Sequence, residues 1–436
     1  MRRVLGAALA ALLLPACKKD PVAPPVAEWT GAALLESSDV GNAVTPHVAC
    51  NVSGEAVTVW SQTDGLRFHI WAAQYSPGTG WLAPVQVENN TIGNAELPRV
   101  AIGTDGAAVA VWQQHDGIRW NIGSARCTPA GSWGVPELIE NDDVSDALEA
   151  RVVLDGLGHA VATWSQTDAF RFNLWANVHT PGVGWGGALK IEGEDLGNAG
   201  EPALAADGAG RVAVVWSQFD GTRYNIRANR HDAWTGWAGD LTIETEDTAS
   251  ARHPRVAMDG AGNAFAVWEQ FNGIRDSIRA NRMSPAGAWG ASQLIENDDT
   301  GSAWLPQVGA DGAGNALAVW QQHDGFRWNI LSNRFVAGVG WGVPQSAESY
   351  GFANAEDPRL AVDGAGRAVA AWRQFDGIRY DLAASRNLSG TASALLEAQP
   401  GTVASAELAI DGVGRAHAVW SQSDGLRFSI WCSRSR

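Results

Sequence analysis

The chain has 436 residues, is 45% hydrophobic, and carries 47 acidic against 31 basic side chains for a formal net charge of −16. That balance excludes nucleic acid as a partner, because phosphate backbones demand basic surfaces, and it disfavours direct adsorption to anionic lipid. Length alone allows two or three domains, unless an internal repeat closes the chain into one.

The first element is a targeting segment. Met1, Arg2 and Arg3 precede an apolar run from Val4 to Leu14 that is too short to cross a bilayer as a mature helix. Residues 1–16 therefore read as a secretory signal. The following Leu14-Pro15-Ala16-Cys17 resembles a bacterial lipobox, which implies cleavage before Cys17 and lipid attached to it. An ordinary signal peptide with an unrelated cysteine is the alternative. Residues 17–27 hold Lys18, Lys19 and a proline-rich run, an extended and semi-rigid spacer. The expected location is the bacterial cell envelope, at the outer membrane's periplasmic face or the cell surface, with the lipid as membrane contact.

From residue 28 the sequence repeats. Trp60, Trp112, Trp164, Trp216, Trp268, Trp320, Trp372 and Trp420 follow one another at steps of 52, with a last step of 48, and a second tryptophan series from Trp29 to Trp341 keeps the same phase. One unit, Leu305 to Glu348, reads as four short strands. The first closes at Asp311-Gly312, the second (NALAVWQQ) at Asp324-Gly325, the third is FRWNILSNRF, and the fourth runs from near Trp341 to Glu348. Four antiparallel strands per unit of this length predict an all-β, eight-bladed β-propeller over residues 28–436. The chain ends on a third strand, so the lone N-terminal segment from Glu28 to Glu36 is expected to complete the last blade and remove its open edge. A monomeric ring is expected.

Three polar columns repeat in all eight units. Glutamine stands two places after each reference tryptophan, arginine seven places after it, and glutamate ends each fourth strand. Antiparallel pairing of third and fourth strands places Arg67 near Glu88, Arg119 near Glu140 and, across the closure, Arg427 near Glu36. A set present in every blade is read as a brace, with arginine favoured for its planar fork. The loops ending one blade and starting the next are acidic, as in ENDDVSDALE and EGEDLGNAGE, and make one face a candidate site for cations or a basic partner, with a role only in solubility as the alternative.

Candidate binding residues lie where the repeat varies. The tip position three places after tryptophan supplies His115, Phe219, Phe271, His323 and Phe375, which are expected to border a central funnel. Blade five departs most, with Glu269, Asn272 and Asp276 as a candidate local site and sequence drift in a redundant ring as the alternative reading. After Cys17 there remain Cys50, Cys127 and Cys432, and Cys50 and Cys432 occupy positions that are apolar or small in sister units. They read as buried thiols, with a Cys50–Cys432 bridge as the alternative that geometry decides. No zinc, phosphate-loop or nucleophile-elbow pattern occurs, so no catalytic residue, metal or cofactor is assigned.

The repeats resemble bacterial propellers of the sialidase-like and BNR type in architecture, although Asp311 lies nine places before Trp320 and the BNR Asp-box spacing is not met. In overall plan, a lipid-anchored ring of eight also resembles the BamB-type assembly lipoproteins, without their Ala-x-Asp-x-x-Thr-Gly run. The two resemblances imply an envelope scaffold that binds a protein or glycan partner, or alternatively a glycan-binding or glycan-active propeller using the tip aromatics to stack on sugars.

Overall fold

The computed structural model describes residues 29–436 except 38–39, 141–144, 194–195, 246–248, 298–299, 349–352, 387, 389–392 and 397–399; Cys17 and the spacer lie outside the described residues. All regular elements among the described residues are strands, gathered into eight antiparallel sheets. In blade 1 the order from the axis outward is Ala43–Cys50, Ala56–Thr63 and Phe68–Ser76, with Gly80–Trp81 and Val85–Gln86 on the outer edge. The same plan recurs to blade 8, whose strands Thr402–Ile410, Ala416–Ser423 and Phe428–Arg434 are completed by Ala33–Leu34. Ala33 faces Cys432 and Leu34 faces Trp431, Trp29 bridges Ser435, and the Leu35 N–H donates to the Ile430 carbonyl at 2.8 Å. The ring is thus closed by the N-terminal strand.

The fourth strand differs from the expected continuous run. In blade 1 it pairs at Trp81, leaves the ladder, and pairs again at Val85–Gln86. Pro84, which has no N–H to donate, stands in the gap.

The second strand of each blade has both faces covered, which explains its unbroken apolar sequence. Val57 and Val59 of blade 1 pack in one cluster with Ala108, Ala110 and Trp112 of blade 2. All eight reference tryptophans are at most 1% exposed. An indole N–H buried this deeply needs an acceptor, and the repeated glutamine supplies it: Trp60 Nε1 donates to Gln62 Oε1 at 2.9 Å, and Trp268 to Gln270 at 3.2 Å, as in the other six blades. The glutamine's amide then donates to the incoming connection from the preceding blade, as from Gln218 Nε2 to the Gly197 carbonyl at 2.9 Å. One side chain therefore ties the core tryptophan to the blade-to-blade link.

The Asp-Gly tips are equally local. Asp64 Oδ1 accepts the Leu66 and Arg67 N–H groups at 2.8 and 2.9 Å while Gly65 takes φ 95°. Those two bonds fix the turn that the glycine permits. The three cysteines are free thiols, Cys127 and Cys432 buried and Cys50 half-buried, so the alternative Cys50–Cys432 bridge is not formed.

Candidate functional site

The innermost strands carry a bulge that shapes the mouth of the ring. Thr45, Leu97, Glu149, Glu201, His253, Leu305 and Asp357 have φ between 51° and 60°, and the register to the second strand shifts there in each blade. A left-handed residue turns its N–H out of the ladder, so the group needs another acceptor. In most blades the neighbouring blade provides it from a side chain. The Glu149 N–H donates to Gln113 Oε1 at 2.9 Å, Glu201 N–H to Glu149 Oε2 at 2.8 Å, His253 N–H to Glu201 Oε2 at 2.8 Å, and Leu305 N–H to Glu269 Oε1 at 2.7 Å.

This relay brings carboxylates together on blades 3 to 5. Ser165 Oγ donates to Glu149 and Ser217 Oγ to Glu201. The His253 ring lies between two acids, with Nε2 at 3.1 Å from Glu201 Oε1 and Nδ1 at 2.9 Å from Glu269 Oε2. The hydrogen bonds to Glu201 and Glu269 push the His253 pKa up to about 10 against the opposing effect of burial. Burial pushes the Glu201 carboxyl up, but the His253 contacts outweigh it and hold the group at about 2. At neutral pH His253 is therefore an imidazolium between two carboxylates. It is no proton acceptor there, and the cluster serves to hold charge and geometry.

Beside this cluster a cavity of about 260 Å³ opens, lined by Glu149, Glu201, Phe172, Tyr224, Ser217 and Arg252, among others. The Arg252 guanidinium sits 4.1 Å from the Tyr224 ring centroid and fixes that ring from one side. Aromatic surface and hydroxyl-accepting carboxylates thus meet in one recess. A second aromatic group lies farther round: Trp304 and Trp328 have centroids 4.6 Å apart, and Trp304 Nε1 donates to Asp276 at 2.8 Å.

The residues singled out from the sequence fall into three groups. Glu269 and Asp276 each hold a residue of the innermost strands, His253 and Trp304 respectively. Asn272 accepts the Ile274 and Arg275 N–H groups at 3.0 and 3.1 Å, as Asp64 does in its turn, so this departure from the repeat leaves the tip unchanged. Among the tip residues, His115, Phe219, His323 and Phe375 pack on the aromatic residue opposite them at the start of the third strand, Trp120, Tyr224, Trp328 and Tyr380, with centroids 5.1 to 5.2 Å apart. His115 and His323 also accept the N–H of the turn glycine. They end the second strands, paired with the first residue of the third, and do not lie on the innermost strand that walls the funnel. Phe271 faces Asp276 instead of an aromatic and is 37% exposed.

Of the arginine and glutamate columns, Arg327 Nη2 lies 3.6 Å from Glu348. In blade 1 Glu88 receives His69 Nδ1 at 2.5 Å and the Asn90 N–H at 2.7 Å, so His69 stands at the carboxylate that strand pairing offers to Arg67. In blade 2 Glu140 accepts the Ile122 N–H at 2.9 Å, in the strand that follows Arg119. Glu36, beside the strand that starts after Arg427, is buried.

Sequence reasoning missed Glu149, Glu201 and His253. Their column varies at the fixed step of 52 and is followed by proline in six of the eight units, which is the signal that could have singled it out.

No sequence-family profile matches the chain, and no curated protein matches it in sequence. Solved structures do match it in shape. A polysaccharide lyase described as an ulvan lyase aligns with TM-score 0.50 and 9% identity over 92% of this chain and 95% of its own. The polysaccharide lyase Uly1 aligns with TM-score 0.51 and 10% identity over 88% of each chain. A protein of unknown function from Dyadobacter fermentans aligns with TM-score 0.47 and 11% identity over 94% of this chain and all of its own. At these identities the likeness is one of fold.

Proposed function

We propose that this chain is a glycan-binding propeller that holds a saccharide in the cavity between blades 3, 4 and 5. The observation that carries the reading is the meeting of the Tyr224 and Phe172 rings with the Glu149 and Glu201 carboxylates in one recess of about 260 Å³. A sugar presents an apolar C–H face and a rim of hydroxyls, and stacking plus a few fixed acceptors recognises both. Glu201 stays ionised at any physiological pH and so remains an acceptor. The polysaccharide lyases of similar fold agree with this reading over that of a purely protein-binding scaffold. In this proposal lipid at Cys17 tethers the ring to the envelope, and the spacer lets its open face meet large glycans.

Titration calorimetry with neutral, uronate-containing and sulfated oligosaccharides tests the reading. Tyr224→Ala and Glu149→Gln are each expected to weaken binding tenfold or more, about 1.4 kcal/mol, with the folded spectrum unchanged. Absence of any saccharide binding, or binding indifferent to both substitutions, would refute it. The same mixtures, assayed for new reducing ends and for unsaturated uronate products, decide whether the protein is also glycan-active.

A further inference from the structure

One step below the bulge, the same register position on the eight innermost strands reads His47, Arg99, Arg151, Ala203, Arg255, Gln307, Arg359 and Glu407. All eight line one central cavity of about 510 Å³. Four guanidinium groups meet a single carboxylate at this level of a protein whose formal charge is −16. The one neutralised arginine is Arg359, which donates to Asp357 at 2.7 Å and to Glu407 at 3.4 Å.

Arg99, Arg151 and Arg255 have no such partner. Each uses Nη1 to donate to the carbonyl of the residue before it, Pro98, Ala150 and Pro254, at 3.2, 3.0 and 2.9 Å. Among the described residues they make no ion pair, and their remaining N–H donors meet no protein acceptor. Glu149 and Glu201, one level up, feel these charges at long range but are held by Ser165, Ser217 and backbone N–H groups. Burial and the neighbouring cations Arg99 and Arg255 push the Arg151 pKa down to about 9, and burial lowers Arg99 and Arg255 too, with Arg359 adding like charge and Glu407 opposing both. His47 accepts the Val100 N–H on Nδ1 at 3.2 Å, which leaves Nε2–H as a further donor. Below the ring the channel is walled by small or apolar residues, with Ala49, Ala101, Val153 and Leu204 among its lining. A cage of donors with unspent hydrogen bonds and more positive charge than Glu407 balances is built for an anion.

We propose that the central channel is an oxyanion site in which Arg99, Arg151 and Arg255, joined by His47, bind a sulfate, phosphate or carboxylate group. This inference is independent of the glycan cavity between blades 3 and 5. The group could be carried by a free ion or by a charged sugar, and the two sources are separable.

The test uses the full folded chain and inorganic sulfate and phosphate, against chloride at matched ionic strength. Saturable binding at one site per chain, with a raised melting temperature, is expected. Arg99→Gln, Arg151→Gln and Arg255→Gln should each weaken it at least tenfold and the triple variant should abolish it, while Arg230→Gln, on an outer strand, should not change it. Without added anion, the single variants should be as stable as the parent or more so, because each removes the cost of burying a guanidinium charge, which burial opposes in all three. Sulfated and uronate oligosaccharides that displace sulfate identify a sugar-borne group; sulfate binding without displacement identifies a free ion, and both support the site. Sulfate acting no differently from chloride, binding that survives the triple variant, or variants that unfold without anion would overturn the proposal.

Discussion

Replacement of His253 by leucine isolates the charge cluster at the mouth of the ring. The backbone tolerates leucine there, because Leu97 and Leu305 occupy the same bulge with φ 53° and 54° against 53° for His253. What is lost is the imidazolium between Glu201 and Glu269, at 3.1 and 2.9 Å. Removing one partner of a well-buried ion pair costs about 3–5 kcal/mol, and exposed pairs contribute about 0–1. The His253 side chain is 44% exposed, so a cost of about 1–2 kcal/mol is expected between those limits. The pH dependence gives the sharper test. A histidine raised from its ordinary 6.5 to about 10 contributes stability that is complete below 6.5 and is lost as pH climbs through about 10. Urea unfolding of parent and His253→Leu should therefore differ at pH 7 and converge above pH 10. Adding Glu269→Gln should restore much of the loss, because it removes one uncompensated charge. Its amide oxygen can still accept the Leu305 N–H, as Gln321 accepts that of Asp357. A difference between parent and variant that is constant from pH 6 to above pH 10, or no difference at all, would refute the reasoning.

Four further outcomes follow from the same geometry. Gln218→Leu leaves the Trp216 indole N–H and the Gly197 carbonyl without partners and should cost about 1–3 kcal/mol for each group, read as a shift in the urea midpoint. Ala169 holds φ 81° where the sister tips carry glycine, so Ala169→Gly should stabilise the fold by about 1 kcal/mol in the same assay. Burial pushes the Cys50, Cys127 and Cys432 thiols up to about 12, 11 and 12; thiol reagents at pH 8 should label them only after unfolding. Deleting residues 29–36 exposes the edge of Phe428–Arg434, and should lower the melting temperature and promote aggregation, with a peptide of that sequence restoring the parent value.

Much of the architecture was written in the period. The 52-residue step, the Asp-Gly tips and the alternation of small and large apolar residues specify four-stranded blades, because each of these acts within one unit or between identical neighbours. Even the closure was legible, since one fourth strand was surplus at the N-terminus and one was missing at the end. The constant glutamine, too, has a local role, because its acceptor lies two residues from the indole it serves.

The candidate sites were not legible in that way. His253, Glu201 and Glu269 are separated by 52 and 16 positions and meet only because a bulge turns the first strand toward the next blade. Arg99, Arg151 and Arg255 look like ordinary charged residues on solvated strands, and become a cationic ring only when eight innermost strands face one axis. Sequence by itself determined the blade, because local hydrogen bonds and a repeated apolar pattern act over short separations. Tertiary structure alone decided which variable side chains share a cavity, because ring closure sets distances across the axis that no spacing along the chain encodes.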